Sequence, residues 1–257
     1  MTAELVHLAV KDGIGTITLD SQANRNALSR QFLAKLAGHL ETALGDVAVR
    51  VVVLTGAGSV FCSGADLKEQ REDNDAGQRT GPAGLAPILQ RMWHSPKPII
   101  GRINGAARAG GLGLVAACDI AVAVETATFA VTEVRIGVIP AIISVVLLPR
   151  IGMANALELF LTGEQFTASR AVGIGLLTAT APAQELDTTV GRYAASVLKG
   201  APEALAGAKA LVRDVPDMPM EEAFVEMTRR SADFFVSAEA REGMAAFAEK
   251  RPPNWQA

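Results

Sequence analysis

Gly110 and Gly111, set before the apolar run 112–117, form one of two small-residue turns whose chemistry would come from main-chain amides. Two glycines opening a helix leave N–H groups unshielded, and the helix dipole favours negative charge there. The other turn, Phe61-Cys62-Ser63-Gly64-Ala65-Asp66-Leu67, also follows an expected strand. If the two turns meet, one amide from each can hold a carbonyl oxygen as it becomes an enolate anion. The plainer alternative is that these glycines only allow close helix packing. The side chain that could complement such amides is Glu133, within the apolar segment 127–140. Desolvation there would raise its pKa toward values useful for proton transfer near neutral pH. Its bland counterpart is an exposed ion pair between Glu133 and Arg135.

Positioning these groups requires strands that end at the turns and helices that begin there. Segments 5–10 and 14–19 read as two strands around the turn Lys11-Asp12-Gly13. Ser29 is a plausible N-cap for a helix carrying Phe32, Leu33, Leu36, Leu40 and Leu44 at helical spacing up to Gly45. The β-branched run Val51-Val52-Val53-Leu54 suits a strand buried on both faces. A helix near 85–94, a short strand at Ile99-Ile100, the diglycine helix and a strand at 120–124 follow. Strands alternating with helices predict an α/β fold with a mainly parallel, helix-covered sheet. The polar stretch 69–82 reads as a mobile loop able to cover a site. After about residue 195 only helices are expected, at 202–215, 220–236 and 238–250, so the division is a core over 1–195 and a helical region over 196–257. Phe224, Met227, Phe234, Phe235, Met244 and Phe247 give those helices wide apolar faces that need cover, from the core or from another copy.

A chain of 257 residues with a net charge of -3 has ample core-forming material and no basic field for nucleic acid. The start, Met1-Thr2-Ala3-Glu4, predicts no secretory or transit leader. The longest apolar stretch, 139–148, contains Pro140 and falls short of the roughly 20 residues that cross a bilayer, so no membrane span is expected. Cys62 and Cys118 lie at no metal-ligand spacing, and a cytoplasmic protein without disulfides is the expectation. His7, His39 and His94 read as structural or exposed, not as metal ligands, and Arg102 and Arg108 as structural ion pairs or solvated groups.

Several segments together resemble the crotonase superfamily, the enoyl-CoA hydratase/isomerase family. They are the turn 61–67, Lys97-Pro98-Ile99-Ile100-Gly101-Arg102-Ile103-Asn104-Gly105, Ala109-Gly110-Gly111-Leu112-Gly113-Leu114, Ala117-Cys118-Asp119-Ile120, and the tail 241–251. They keep the family's order and approximate spacing over nearly the whole length. The resemblance implies a superhelix of ββα units with a C-terminal helical region that assembles trimers, often paired into hexamers. It implies acyl-CoA thioester substrates, with CoA as part of the substrate and no separate cofactor or metal. It places oxyanion-hole amides on Ala65 and Gly110, and a glutamate acid/base on Glu133. It puts Arg25, Ala27 and Leu28, and Asp66, Leu67 and Lys68 after Ala65, along CoA. It brings Phe247 and Lys250 to the nucleotide of a neighbouring subunit.

The chain departs from the family pattern at Gly113, where hydratases carry the first of two glutamates around a catalytic water. One base is enough to shift a double bond, as family isomerases do, and syn hydration through Glu133 alone is conceivable if Thr132 or Ser144 helps to orient the water. Hydration of a 2-enoyl-CoA is the first expectation and Δ3-Δ2 isomerisation the alternative. Dehalogenation is disfavoured, because Ala141 and Glu133 stand where that activity uses an aspartate and a tryptophan. An acyl-CoA-binding protein without turnover is a further possibility. So is a dinucleotide fold, since Gly111-Leu112-Gly113-Leu114-Val115-Ala116 satisfies G-x-G-x-x-A. That match is weak, because residues 102–109 separate the turn from its strand.

Overall fold

The computed structural model describes residues 4–77, 81, 82 and 84–256. Residues 1–3, on which the leader expectation rests in part, lie outside them.

The chain opens with an antiparallel hairpin, β1 (Val6–Lys11) and β2 (Ile14–Leu19), closed by Asp12 and Gly13 with φ of +50° and +79°. Left-handed backbone at both central residues suits the right-handed twist of the strands. Helix α1 (Arg30–Gly45) follows, with the Ser29 hydroxyl accepting the Phe32 N–H as expected of an N-cap. Next come β3 (Val51–Gly56), β4 (Val60–Cys62), α2 (Leu67–Asp75) and α3 (Leu85–Trp93). Two further units of the same kind are β5 (Ile99–Ile103), β6 (Ala106–Arg108) and α4 (Gly110–Ala117), then β7 (Ile120–Val124), β8 (Thr128–Ala130) and α5 (Ala141–Thr162). The remainder is β9 (Phe166–Thr167), α6 (Ala168–Gly173), β10 (Ala179–Ala181), α7 (Leu186–Leu198), α8 (Pro202–Asp214), α9 (Met220–Phe235) and α10 (Ala238–Glu249).

Each ββα unit sends its first strand to a six-stranded sheet, β1-β2-β3-β5-β7-β10, and its second to a four-stranded sheet, β4-β6-β8-β9. Beyond the opening hairpin the larger sheet is parallel, so β3 is buried throughout and its unbroken Val and Leu run is accounted for. Every residue of α4 is buried. A helix apolar on all sides belongs in a core, and α4 packs between α3, α5 and the smaller sheet.

The expectation of a loop over 69–82 is corrected over 69–75 by α2, while residues 76, 77, 81 and 82 form turns. Asp66 caps that helix, its Oδ1 accepting the N–H groups of Lys68 at 3.1 Å and Glu69 at 3.3 Å. Arg30 then holds it from α1, pairing with Asp73 at 2.7 Å and Glu69 at 3.3 Å. Glu69 and Asp73 thus make a tertiary contact, while Arg71 and Asp75 pair with each other at the surface; residues 78–80 of the stretch lie outside the described ones.

By length and composition α5 is long and apolar enough to cross a membrane. One side of it, Ile143, Val146, Leu147, Ile151, Ala156 and Leu159, faces the core, and Gly152, with φ +70° and ψ 166°, kinks the helix just after Pro149. The boundary expected between residues 195 and 196 falls inside α7, which packs on β5 and β7. Helix α8 is tied back to the core at Asp119, just beyond α4. Lys209 and Arg213 each approach that carboxylate at 2.8 Å, and Arg213 also lies 4.3 Å from the Trp93 ring centre.

Candidate active site

The two glycine turns meet because β4 and β6 run parallel, with Val60 beside Ala106 and Cys62 beside Ala107. Their C-terminal ends therefore emerge side by side, one into residues 63–66 and the other into α4. Contact is close. A Cβ added to Gly64, where φ is +92°, would lie 2.9 Å from the Ala109 Cβ, and one on Gly111 would lie 2.8 Å from the Cys62 carbonyl oxygen. Both glycines are thus required by steric approach, and Gly64 by its left-handed backbone as well. Segment 25–28 braces the first turn from the other side. Leu28 forms a parallel bridge to Ala65 and its N–H donates to Gly64 O at 2.8 Å, while Ser63 N–H donates to Arg25 O at 3.1 Å. The buried Asn26 amide donates to the carbonyls of Ala57, Val60 and Phe61, which locks the bend.

Among the described residues, neither the Ala65 N–H nor the Gly110 N–H has an acceptor in the chain. Gly110 is the first residue of α4, at the positive end of the helix dipole. Leu28 and Leu85 close over it, 2.8 and 3.1 Å from where a Gly110 Cβ would stand.

Glu133 begins a short 3-10 helix, Glu133–Ile136, three residues after Ala130. The Ala130 carbonyl accepts the Ala109 N–H at 3.0 Å, which ties this segment to the start of α4. The Glu133 Oε2 is buried with no hydrogen-bond partner among the described residues. Desolvation raises the carboxyl above its ordinary value, against the weaker opposing pull of the Glu133 and Thr132 main-chain N–H groups. The surface-pair reading fails, since Arg135 turns to Glu164 at 2.5 Å and to the Thr162 carbonyl.

At Gly113, in the next turn of α4 after Gly110, an added Cβ would stand 2.6 Å from Ile143 Cγ2 and 3.1 Å from Leu89 Cδ1. A side chain there would force the Ile143 and Leu89 side chains to move. Nothing in the spacing of Leu89 and Ile143 along the sequence relates α3 and α5 to α4.

Asp66 serves chiefly as the cap of α2, and Leu67 and Lys68 start that helix, Leu67 largely exposed. Ala27 and Leu28 are buried. Arg25 adopts left-handed backbone with φ +59°. Phe247 is 88% exposed on α10, and Lys250 caps that helix, which packs on α9. The Ser144 hydroxyl donates to Ala141 O at 2.7 Å, a local bond within α5. Arg102 pairs with Asp187 at 2.5 Å, and Arg108 binds the Thr128 carbonyl and the Gln165 side chain, so both are structural here. Burial pushes the Cys62 and Cys118 thiols up to about 12, away from nucleophilic use.

Two cavities, about 490 Å³ between α1, α2 and α3 and about 1480 Å³ between α3, α5 and α8, lie at the molecular surface. Ala65, Gly110 and Glu133 line neither, but Leu28 borders the first and Leu89 the second.

The family described as enoyl-CoA hydratase/isomerase matches residues 9–257. Enoyl-CoA hydratase EchA19 of Mycobacterium tuberculosis is 34% identical over 245 residues, covering 93% of this chain and 92% of that protein. Among solved structures, an enoyl-CoA hydratase from Shewanella pealeana superposes with a TM-score of 0.94 at 29% identity, covering 99% of this chain and 97% of the other. Pseudomonas aeruginosa AtuE gives 0.93 at 30% identity, covering 99% of this chain and all (100%) of its own. With the ββα units, the paired turns and a match over nearly the full length, the chain belongs to the enoyl-CoA hydratase/isomerase family of the crotonase superfamily.

Proposed function

We propose that this protein shifts the double bond of 3-enoyl-CoA thioesters to the conjugated 2-enoyl position. The Ala65 and Gly110 amides hold the thioester oxygen. Glu133 removes a proton from C2, the electron pair moves into the carbonyl as a dienolate, and Glu133 returns the proton at C4. Atoms balance with no co-reactant, and CoA enters as part of the substrate without a separate cofactor. Each amide donor of this kind is worth about 3 kcal/mol of barrier. Arg25, Ala27, Leu28, Asp66, Leu67 and Lys68 lie along CoA in this reading, and Phe247 and Lys250 reach it from a neighbouring subunit of a trimer or a dimer of trimers. The buried cysteines suit a cytoplasmic setting.

The observation that carries isomerisation over hydration is the packing at Gly113, 2.6 Å from Ile143 for any added Cβ. An ordered water needs two to four polar partners. Among the described residues the neighbours of Gly113 are the hydrocarbon side chains of Ile143 and Leu89, so that position supplies no second carboxylate. Hydration is the second reading, favoured by the activity named for relatives such as EchA19.

Separate incubations with a 3-enoyl-CoA and with crotonyl-CoA, followed through the absorbance of the conjugated thioester, distinguish them. Conjugation appearing from the first substrate is expected. Loss of conjugation from crotonyl-CoA with no action on the 3-enoyl thioester would establish hydration instead. Binding without turnover of either would leave an acyl-CoA-binding protein.

A further inference from the structure

Ala109, between β6 and α4, has φ +46° and ψ -120°. This is the first central position of a type II′ turn, where glycine is the usual residue because an L side chain collides with its own backbone. The conformation is over-determined. The Ala109 N–H donates to Ala130 O at 3.0 Å and its carbonyl accepts the Leu112 N–H at 2.9 Å. Its methyl fills the space over Gly64, 2.9 Å from where a Cβ on that glycine would stand. The turn that bears Ala65 has therefore given up its own side chain at residue 64 to admit a methyl from the turn that bears Gly110.

Glycine at 109 would relieve the backbone and would also remove that contact. Strain of this kind persists only where the surroundings impose it, and it concentrates at functional positions. We infer that Ala109 is a positioning residue: its strained backbone aims the Gly110 N–H, and its methyl sets the spacing between the Gly110 and Ala65 turns. The inference rests on the amide pair acting as an oxyanion hole.

The consequence is that stability and activity move in opposite directions on substitution. In Ala109→Gly, relief of strain exceeds the extra flexibility of the unfolded glycine, so Tm rises by about 2–4 °C. The freed peptide costs roughly tenfold to a hundredfold in kcat, with KM little changed. Ala109→Ser keeps the Cβ and retains turnover. A readout independent of which reaction is catalysed is the near-ultraviolet band of enolised acetoacetyl-CoA bound to the protein. Wild type and Ala109→Ser show the band, and Ala109→Gly loses most of it.

An Ala109→Gly variant with the wild-type band and turnover overturns the inference. A lower Tm accompanying the lost band also overturns it, because Ala109 would then be merely structural. A wild-type protein that forms no band with bound acetoacetyl-CoA removes the oxyanion-hole reading itself, and that failure is recognised by the silence of the unsubstituted chain.

Discussion

Glu133 carries opposite costs in stability and chemistry. Its buried Oε2 lacks a partner and its carboxyl is raised by desolvation, so the folded protein holds this proton more tightly than the unfolded chain does. The associated stability is present below the unfolded value and is lost as pH climbs through the raised folded value. Glu133→Gln should therefore unfold at higher temperature than wild type near pH 7, with the gap closing in acid. Turnover should fall at least about a thousandfold, because the amide cannot accept a proton. In the wild type the acid limb of kcat should sit above the ordinary carboxylate range. Thermal melts at several pH values and a pH–rate profile check both; unchanged turnover in the glutamine variant would show that another base acts. At this scale the sequence was informative about the acid in apolar company and the two glycine turns. It was silent on Ala109, because a positive φ at alanine leaves no mark in residue type or spacing.

Elements that pack only through long-range contacts were the least legible. The strands of the smaller sheet, two or three residues each, carry too little periodicity to announce themselves, although the pairing of β4 with β6 is what brings the turns together. Helix α2 read as a loop because its ion pairs to Arg30 join residues some forty positions apart. The closest inter-element fit at the site is α4 on α5, at Gly113 and Ile143, 2.6 Å apart for any added Cβ. Gly113→Ala gains about 1 kcal/mol of helix propensity, but forcing a methyl into that contact costs about 1–3 kcal/mol, so a net loss of stability is expected. Ile143→Ala alone opens a cavity at a cost of about 2–5 kcal/mol. Combined, the two should couple favourably by about 0.5–3 kcal/mol, as substitutions in contact do. A double-mutant cycle from denaturant unfolding measures this, and strict additivity would mean that the helices do not meet as described.

For the whole molecule, the question is what covers the apolar surface that folding leaves open. The core covers some of it: Phe234 packs over Gly207, so that α9 sits on α8, and Asp119 ties α8 to the end of α4. After the kink at Gly152, however, Met153, Leu157 and Leu161 are spaced four residues apart along α5 and all are exposed, Leu161 by 73%. Phe224 and Phe235 on α9 and Phe247 on α10 are exposed as well. Scattered apolar residues on a surface need no cover, but an exposed apolar stripe at helical spacing is the kind of surface that self-association buries. Under the proposed trimeric assembly, light scattering should give a trimer or a multiple of it at micromolar concentration, and the paired substitutions Met153→Asp and Leu161→Asp should shift it toward monomer with the helical circular dichroism retained. Because the proposed site takes Phe247 and Lys250 from a neighbouring subunit, the same variant should lose affinity for CoA thioesters more than it loses kcat. A monomeric wild-type protein with full activity would sink this expectation, and would mean that each chain completes its site without a neighbour.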